Sequence, residues 1–151
     1  MPKIDRDGVK IHYEVHGSGP PLILTHGYSS TSDMWRGQIE ALSKNHKLVL
    51  WDMRGHGQSD YPDDPNAYSE ALTVADIAAL LDAIGADSAI SGGLSLGGYM
   101  SLAFYRTIRR GFARYSSSTP APASRKTTPA RPGTSARSTP PIALSARALR
   151  C

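Results

Sequence analysis

Ile90-Ser91-Gly92-Gly93-Leu94-Ser95-Leu96-Gly97-Gly98-Tyr99 is the stretch that decides how the rest of this chain is read. Ser88 to Gly92 suits a short strand, and Tyr99 to about Tyr105 suits a helix. Between them, Gly93-x-Ser95-x-Gly97 fits a nucleophile elbow, a sharp strand-to-helix turn that holds a serine hydroxyl clear of the backbone. Small residues flank such a serine because the turn brings backbone close, where a Cβ would collide. A helix N-terminus behind it aims free N–H groups at the site and favours negative charge there. The same residues also suit a Gly-rich turn with no chemistry, and the motif alone does not choose. They form neither a phosphate loop, since no Lys-Ser or Lys-Thr follows the glycines, nor the Gly-x-Gly-x-x-Gly spacing of a dinucleotide site.

Upstream, Leu72, Ile77, Leu80, Leu81 and Ile84 recur at helical spacing. Thr73 with Asp76 three residues on resembles a helix start, and Gly85 stands where a C-cap belongs. Two short apolar runs, Leu22-Ile23-Leu24 and Leu48-Val49-Leu50-Trp51, read as strands covered on both faces. Met34, Trp35, Ile39 and Leu42 between them suit one face of a short helix. Val9, Ile11, Tyr13 and Val15 alternate with Lys10, His12 and Glu14, the pattern of a half-buried strand. His12 and His16 then belong to a solvated face and its edge rather than to a metal site. The succession implies an α/β domain with a mostly parallel sheet and flanking helices.

Downstream the pattern stops. All 13 acidic residues lie between Asp5 and Asp87. Residues 1–105 carry seven basic side chains and a net charge of −6, whereas residues 106–151 carry ten basic and no acidic ones, +10. From residue 107 the composition is Arg, Ser, Pro, Ala and Thr, without apolar periodicity, so too little surface can be buried to offset the entropy of ordering. The expected division is therefore 1–106, folded, and 107–151, a disordered basic tail. One Cys, at position 151, excludes a disulfide framework and a thiolate metal cluster. No apolar run approaches the ~18 residues of a membrane span, and Met1 to Gly8 lacks a signal-like apolar core, which points to a soluble cytoplasmic protein.

Two further motifs end predicted strands: His26-Gly27-Tyr28, and Asp52-Met53-Arg54-Gly55-His56-Gly57-Gln58-Ser59-Asp60. With the elbow, and in this order, they make residues 8 to 106 resemble the N-terminal part of the α/β-hydrolase superfamily. The resemblance is to the branch of serine esterases, enol-lactonases, cofactor-free haloperoxidases and C–C bond hydrolases. It implies Ser95 as nucleophile and the backbone N–H groups of Tyr28 and Leu96 as oxyanion donors. His26, Gly27, Gly93 and Gly97 are then motif residues, and the Asp52–Ser59 loop is a structural signature near the site entrance. Serine at the elbow argues against the haloalkane dehalogenase and epoxide hydrolase relatives, which use aspartate. The implied reaction is acyl transfer on an ester, lactone or related carbonyl substrate, with neither cofactor nor metal.

In that superfamily an Asp or Glu and then a His follow the nucleophile. Here no acidic residue follows Asp87 and no histidine follows His56. The expectation is a truncated, catalytically defective site, because losing a triad base costs on the order of 10^6 in turnover. His26 and His56 lie near the site, where loop packing is the favoured role for both and substitution for the missing base the lesser one. Truncation also predicts that the Ser95 strand lies at an open sheet edge, with marginal folding, aggregation or dependence on a partner chain. The tail itself has two readings. Shifting the frame by one base turns Tyr115 and Ser116 to Ser118 into four apolar codons and yields Val-Arg-Ala-Leu-Leu-Leu-Val-Asp-Thr-Gly-Pro-Gly-Phe, similar to the family's next strand. Residues from about Ile108 then form an out-of-frame tail, which sequencing the gene across codons 104 to 112 checks. The alternative is a non-enzymatic protein whose genuine basic tail binds nucleic acid weakly and salt-dependently.

Overall fold

Asp7 and Gly8 take positive φ angles of 56° and 85° and turn the chain between two antiparallel strands, β1 (Lys3–Arg6) and β2 (Val9–His16). Asp-Gly at the centre of a two-residue hairpin suits the twist of paired strands. The computed structural model describes residues 2–109. After the hairpin come β3 (Pro21–Thr25), a single 3-10 turn (Ser32–Trp35), α1 (Arg36–Ser43) and β4 (Lys47–Trp51). A second 3-10 turn (Pro65–Ala67), α2 (Glu70–Ala83), β5 (Ile90–Gly93) and α3 (Leu96–Arg109) complete the order.

The five strands form one sheet in the order β1-β2-β4-β3-β5. β3 pairs in parallel with both β4 and β5, while β2 pairs antiparallel with β1 and β4. The sheet is thus mixed. Its parallel part is the three strands whose C-terminal ends carry the motifs, and the hairpin adds an antiparallel flank. From β3 the chain crosses to β4 on one side and then returns through α2 to β5 on the other. The strand order reverses at β3, and a crevice outside the strand ends at such a point is where α/β sheets bind ligands.

Alternate residues divide the core into two. Ile23, Val49 and Trp51 face α2 and α3 and pack with Ile77, Leu80, Met100 and Phe104. Leu22, Leu24, Leu48 and Leu50 face the opposite way, against Trp35, Ile39 and Leu42 of the 3-10 turn and α1. Both faces of β3 and β4 are covered, which is why their sequences are continuously apolar.

Three local expectations need correction. α2 starts at Glu70, not near Thr73: the Ser69 hydroxyl accepts the Leu72 N–H at 3.1 Å as N-cap, and Asp76 is a fully buried ion-pair partner. α3 begins directly after Ser95 rather than at Tyr99 and runs to Arg109. His12 is fully buried instead of solvated, its N–H donating to Ser59 Oγ at 2.8 Å and its carbonyl accepting the Asp52 N–H at 3.1 Å. Gly85 does follow the end of α2 with φ of 66°. Among the described residues, β5 is the last strand of the sheet. The expected disordered tail begins at residue 107 and the out-of-frame segment at about Ile108, yet α3 runs on to Arg109; from residue 110 on both expectations lie outside the described residues. Among the described residues, no helix is long and apolar enough to cross a membrane.

Candidate active site

The elbow rests on two backbones in close approach. A Cβ on Gly97 would lie 2.2 Å from the Thr25 carbonyl oxygen and 2.5 Å from that of His26. A Cβ on Gly93 would lie 2.4 Å from the Gly97 carbonyl carbon. Only glycine at both positions lets α3 start against the end of β3, and the Leu94 N–H donates to Thr25 O at 3.2 Å across the same contact. Ser95, between them, is exposed and adopts φ of 50°, a left-handed conformation strained for any residue with a β-carbon. In this conformation its side chain stands exposed at the turn.

Gly27 abuts the serine: a Cβ there would come within 3.8 Å of Ser95 Cβ and 3.4 Å of Leu94 O. The elbow and the His26–Tyr28 loop are therefore neighbours, as the motif order requires. The N–H groups of Tyr28 and Leu96 have no hydrogen-bond partner among the described residues. Leu96 is the first residue of α3, where helical N–H groups have no partner in the helix.

The His26 ring is fully buried and wholly committed. Its Nε2 accepts the Met53 N–H at 3.0 Å, which leaves the proton on Nδ1 to be donated to the Gly27 carbonyl at 2.7 Å. Burial pushes its pKa below the ordinary 6.5, the Gly27 carbonyl opposes this, and nearby His56 adds to it. A neutral imidazole thus ties the β3 loop to the β4 loop. With both nitrogens in use it has no lone pair to take a proton from Ser95. His56 donates Nδ1–H to the Arg54 carbonyl at 3.0 Å and packs its ring 4.9 Å from that of His26 and 6.1 Å from that of Tyr28. Among the described residues neither ring is hydrogen-bonded to the Ser95 hydroxyl.

The Asp52–Ser59 loop is closed on itself. Asp52 accepts the N–H groups of Ser32 at 2.7 Å and Gln58 at 2.9 Å, while Ser59 Oγ donates to Asp52 O at 2.6 Å. Arg54, buried, forks onto Asp76 of α2 with Nε and Nη2 at 2.6 and 2.9 Å, and Arg6 of β1 reaches the same carboxylate at 3.4 Å. The Arg54–Asp76 pair escaped sequence reading, although a lone acid on the apolar stripe of α2 was the available signal. Beside the elbow, the Tyr99 hydroxyl donates to Glu70 on α2, and that carboxylate pushes the phenol pKa up.

An open cleft of about 300 Å³ runs between these loops, lined among others by Tyr28, His56, Tyr68, Glu70, Leu96 and Met100. A wider space of about 500 Å³ adjoins it, sharing Tyr28, His56 and Tyr68 and adding Tyr61. Among the described residues no group of three His, Cys, Asp or Glu side chains is placed to hold a metal.

Residues 20–129 match the model of a family described as alpha/beta hydrolase fold. The match reaches past residue 106, where the resemblance was expected to stop. RutD of Azorhizobium caulinodans, which carries the name of a carbamate hydrolase, is 34% identical over 102 residues, 68% of this chain and 38% of RutD. An epoxide hydrolase of Caballeronia sordidicola is 36% identical over 88 residues, 58% of this chain and 27% of its own length. Among solved structures, a mutant epoxide hydrolase of Vigna radiata superposes with a TM-score of 0.68 at 28% identity, covering 72% of this chain and 34% of that one. Est816, described as an N-acyl homoserine lactone degrading enzyme, gives 0.66 at 33% identity, covering 70% and 40%. The chain thus spans roughly a third of the length of these relatives. Fold, motif order and family match agree, and this chain belongs to the alpha/beta hydrolase fold family.

Proposed function

We propose that this chain carries the nucleophile half of a serine acyl-transfer site for ester, lactone or related carbonyl substrates. In this reading Ser95 is the nucleophile and the Tyr28 and Leu96 N–H groups receive the oxyanion. The observation that carries it is the exposed Ser95 at φ of 50°, at the start of α3 and flush against Gly27.

Several relatives are epoxide hydrolases, and elementary chemistry separates that reaction from this one. A serine alkoxide opening an epoxide would leave an ether, which has no carbonyl for water to attack, so the enzyme would be consumed. The same alkoxide on a carbonyl gives an ester that water can cleave. Serine at position 95 therefore favours carbonyl substrates, the class degraded by the lactone-cleaving neighbour.

The site as carried by these 151 residues is defective on its own, because no His, Asp or Glu follows Ser95 and His26 is already committed. A fluorophosphonate probe tests both parts. Slow labelling at Ser95, absent in Ser95→Ala and in unfolded protein, is the expected result. Rapid stoichiometric labelling or brisk ester turnover would overturn the defect, and labelling no faster than in the unfolded chain would overturn the nucleophile.

A further inference from the structure

The space beside the proposed oxyanion position is walled by rings, two of which, Tyr61 and Tyr68, are held by hydrogen bonds. Tyr28 and Tyr68, 77% and 41% exposed, wall the smaller cleft, and Tyr61, 61% exposed, walls the wider space that adjoins it. Tyr68 packs against the bare Cα of Gly55, where a Cβ would lie 2.9 Å from its Cε1, and its hydroxyl donates to the Pro62 carbonyl at 2.8 Å. Tyr61 donates to the Gly57 carbonyl at 3.3 Å. Tyr28 meets His56 edge-on at an interplanar angle of 76°, and His56 is fixed by its bond to Arg54 O. Rings tied down in advance lose little freedom when a ligand stacks on them.

Charge narrows what can enter. The guanidinium of Arg54 in the lining is engaged by Asp76, which Arg6 also reaches, whereas the carboxylate of Glu70, accepting the Tyr99 hydroxyl, stands on the wall. Met53, Leu96 and Met100 supply the remaining apolar lining. A volume of about 300 Å³ is at the small end of ligand pockets, which span ~300–1,000 Å³, and suits one or two rings.

We propose that this cleft is the specificity subsite of the Ser95 site and takes an uncharged aromatic group of the carbonyl substrate, excluding groups that carry a carboxylate. The assignment rests on the acyl-transfer reading for its orientation: a carbonyl held by Tyr28 and Leu96 N–H has one substituent beside Tyr28, Tyr68 and His56.

Ligand binding to the full chain carrying Ser95→Ala tests the subsite without any chemistry, by saturation-transfer NMR and titration. Three probes serve: 1-naphthyl acetate, the 1-naphthylacetate anion with the same rings, and cyclohexyl acetate without aromaticity. The neutral naphthyl ester is expected to bind at least tenfold more tightly than either of the others. Adding Tyr68→Ala should weaken it at least fivefold, Tyr68→Phe should restore most of the loss, and Glu70→Gln should narrow the gap between ester and anion. Equal binding of ester and anion, or ester binding unaffected by both Tyr68→Ala and Glu70→Gln, would overturn the proposal. Should Tyr68→Ala fail to fold, the Glu70→Gln comparison decides alone. Failure of the fluorophosphonate test with ring binding intact would remove the nucleophile and leave the aromatic cleft standing.

Discussion

Ser95 holds its left-handed conformation at a cost of roughly 1–2 kcal/mol for a residue with a β-carbon. Ser95→Gly removes that strain and Ser95→Ala does not. After the extra chain entropy of glycine is subtracted, the glycine variant should be the more stable of the two by roughly 0.5–1 kcal/mol in urea denaturation. His26 makes a prediction of the opposite kind. Its native pKa is lowered by burial, so between that value and the ordinary 6.5 the unfolded chain binds a proton that the native chain refuses. Its contribution to stability is complete above about pH 6.5 and is lost as the pH falls below it. The melting temperature should drop from pH 7 to pH 5, and His26→Gln should flatten part of that slope. The sharp turn at Ser95 was legible because so close a strand-to-helix turn admits few residue types at Gly93 and Gly97. The commitment of His26 was not, since it depends on Met53, 27 positions away, presenting an N–H to the ring.

Elements with strong local signals matched their sequences, and those decided by long-range contacts did not. β3 and β4 are buried on both faces, and their apolar runs say so. β1 carries Lys3, Asp5 and Arg6 and is half exposed, so no periodicity marks it. Its visible signal was Asp7-Gly8, a hairpin turn that also receives the Asp5 side chain on the Gly8 N–H at 2.8 Å. At α2, Thr73 looked like a start because Asp76 follows it, yet Asp76 serves Arg54 and Arg6 instead. That pair fixes the β4 loop onto α2 and the hairpin onto both. Asp76→Ala would leave the buried Arg54 guanidinium without its counter-charge, and breaking such a pair costs about 3–5 kcal/mol. Chemical denaturation should register a loss of that size, a large share of the ~5–15 kcal/mol typical of a whole domain. Ser69→Ala, removing only the N-cap bond, should cost about 1 kcal/mol.

Across the whole molecule, the chain matches about a third of the length of its relatives, and among the described residues its sheet ends at β5, the strand that leads into Ser95. β5 has four residues, two of them glycine, and one paired neighbour among those described. Calorimetry of the 151-residue chain should therefore show a broad, low-temperature transition, with self-association rising with concentration. A sharp, reversible, concentration-independent transition would show that the rest of the chain suffices to hold the sheet. In a strand, successive amides point to opposite sides, so β5 turns part of its row toward β3 and the rest outward. Deuterium uptake should therefore alternate along Ile90–Gly93, protected amides next to rapidly exchanging ones. A uniformly slow pattern would mean that the outer side of β5 is covered as well.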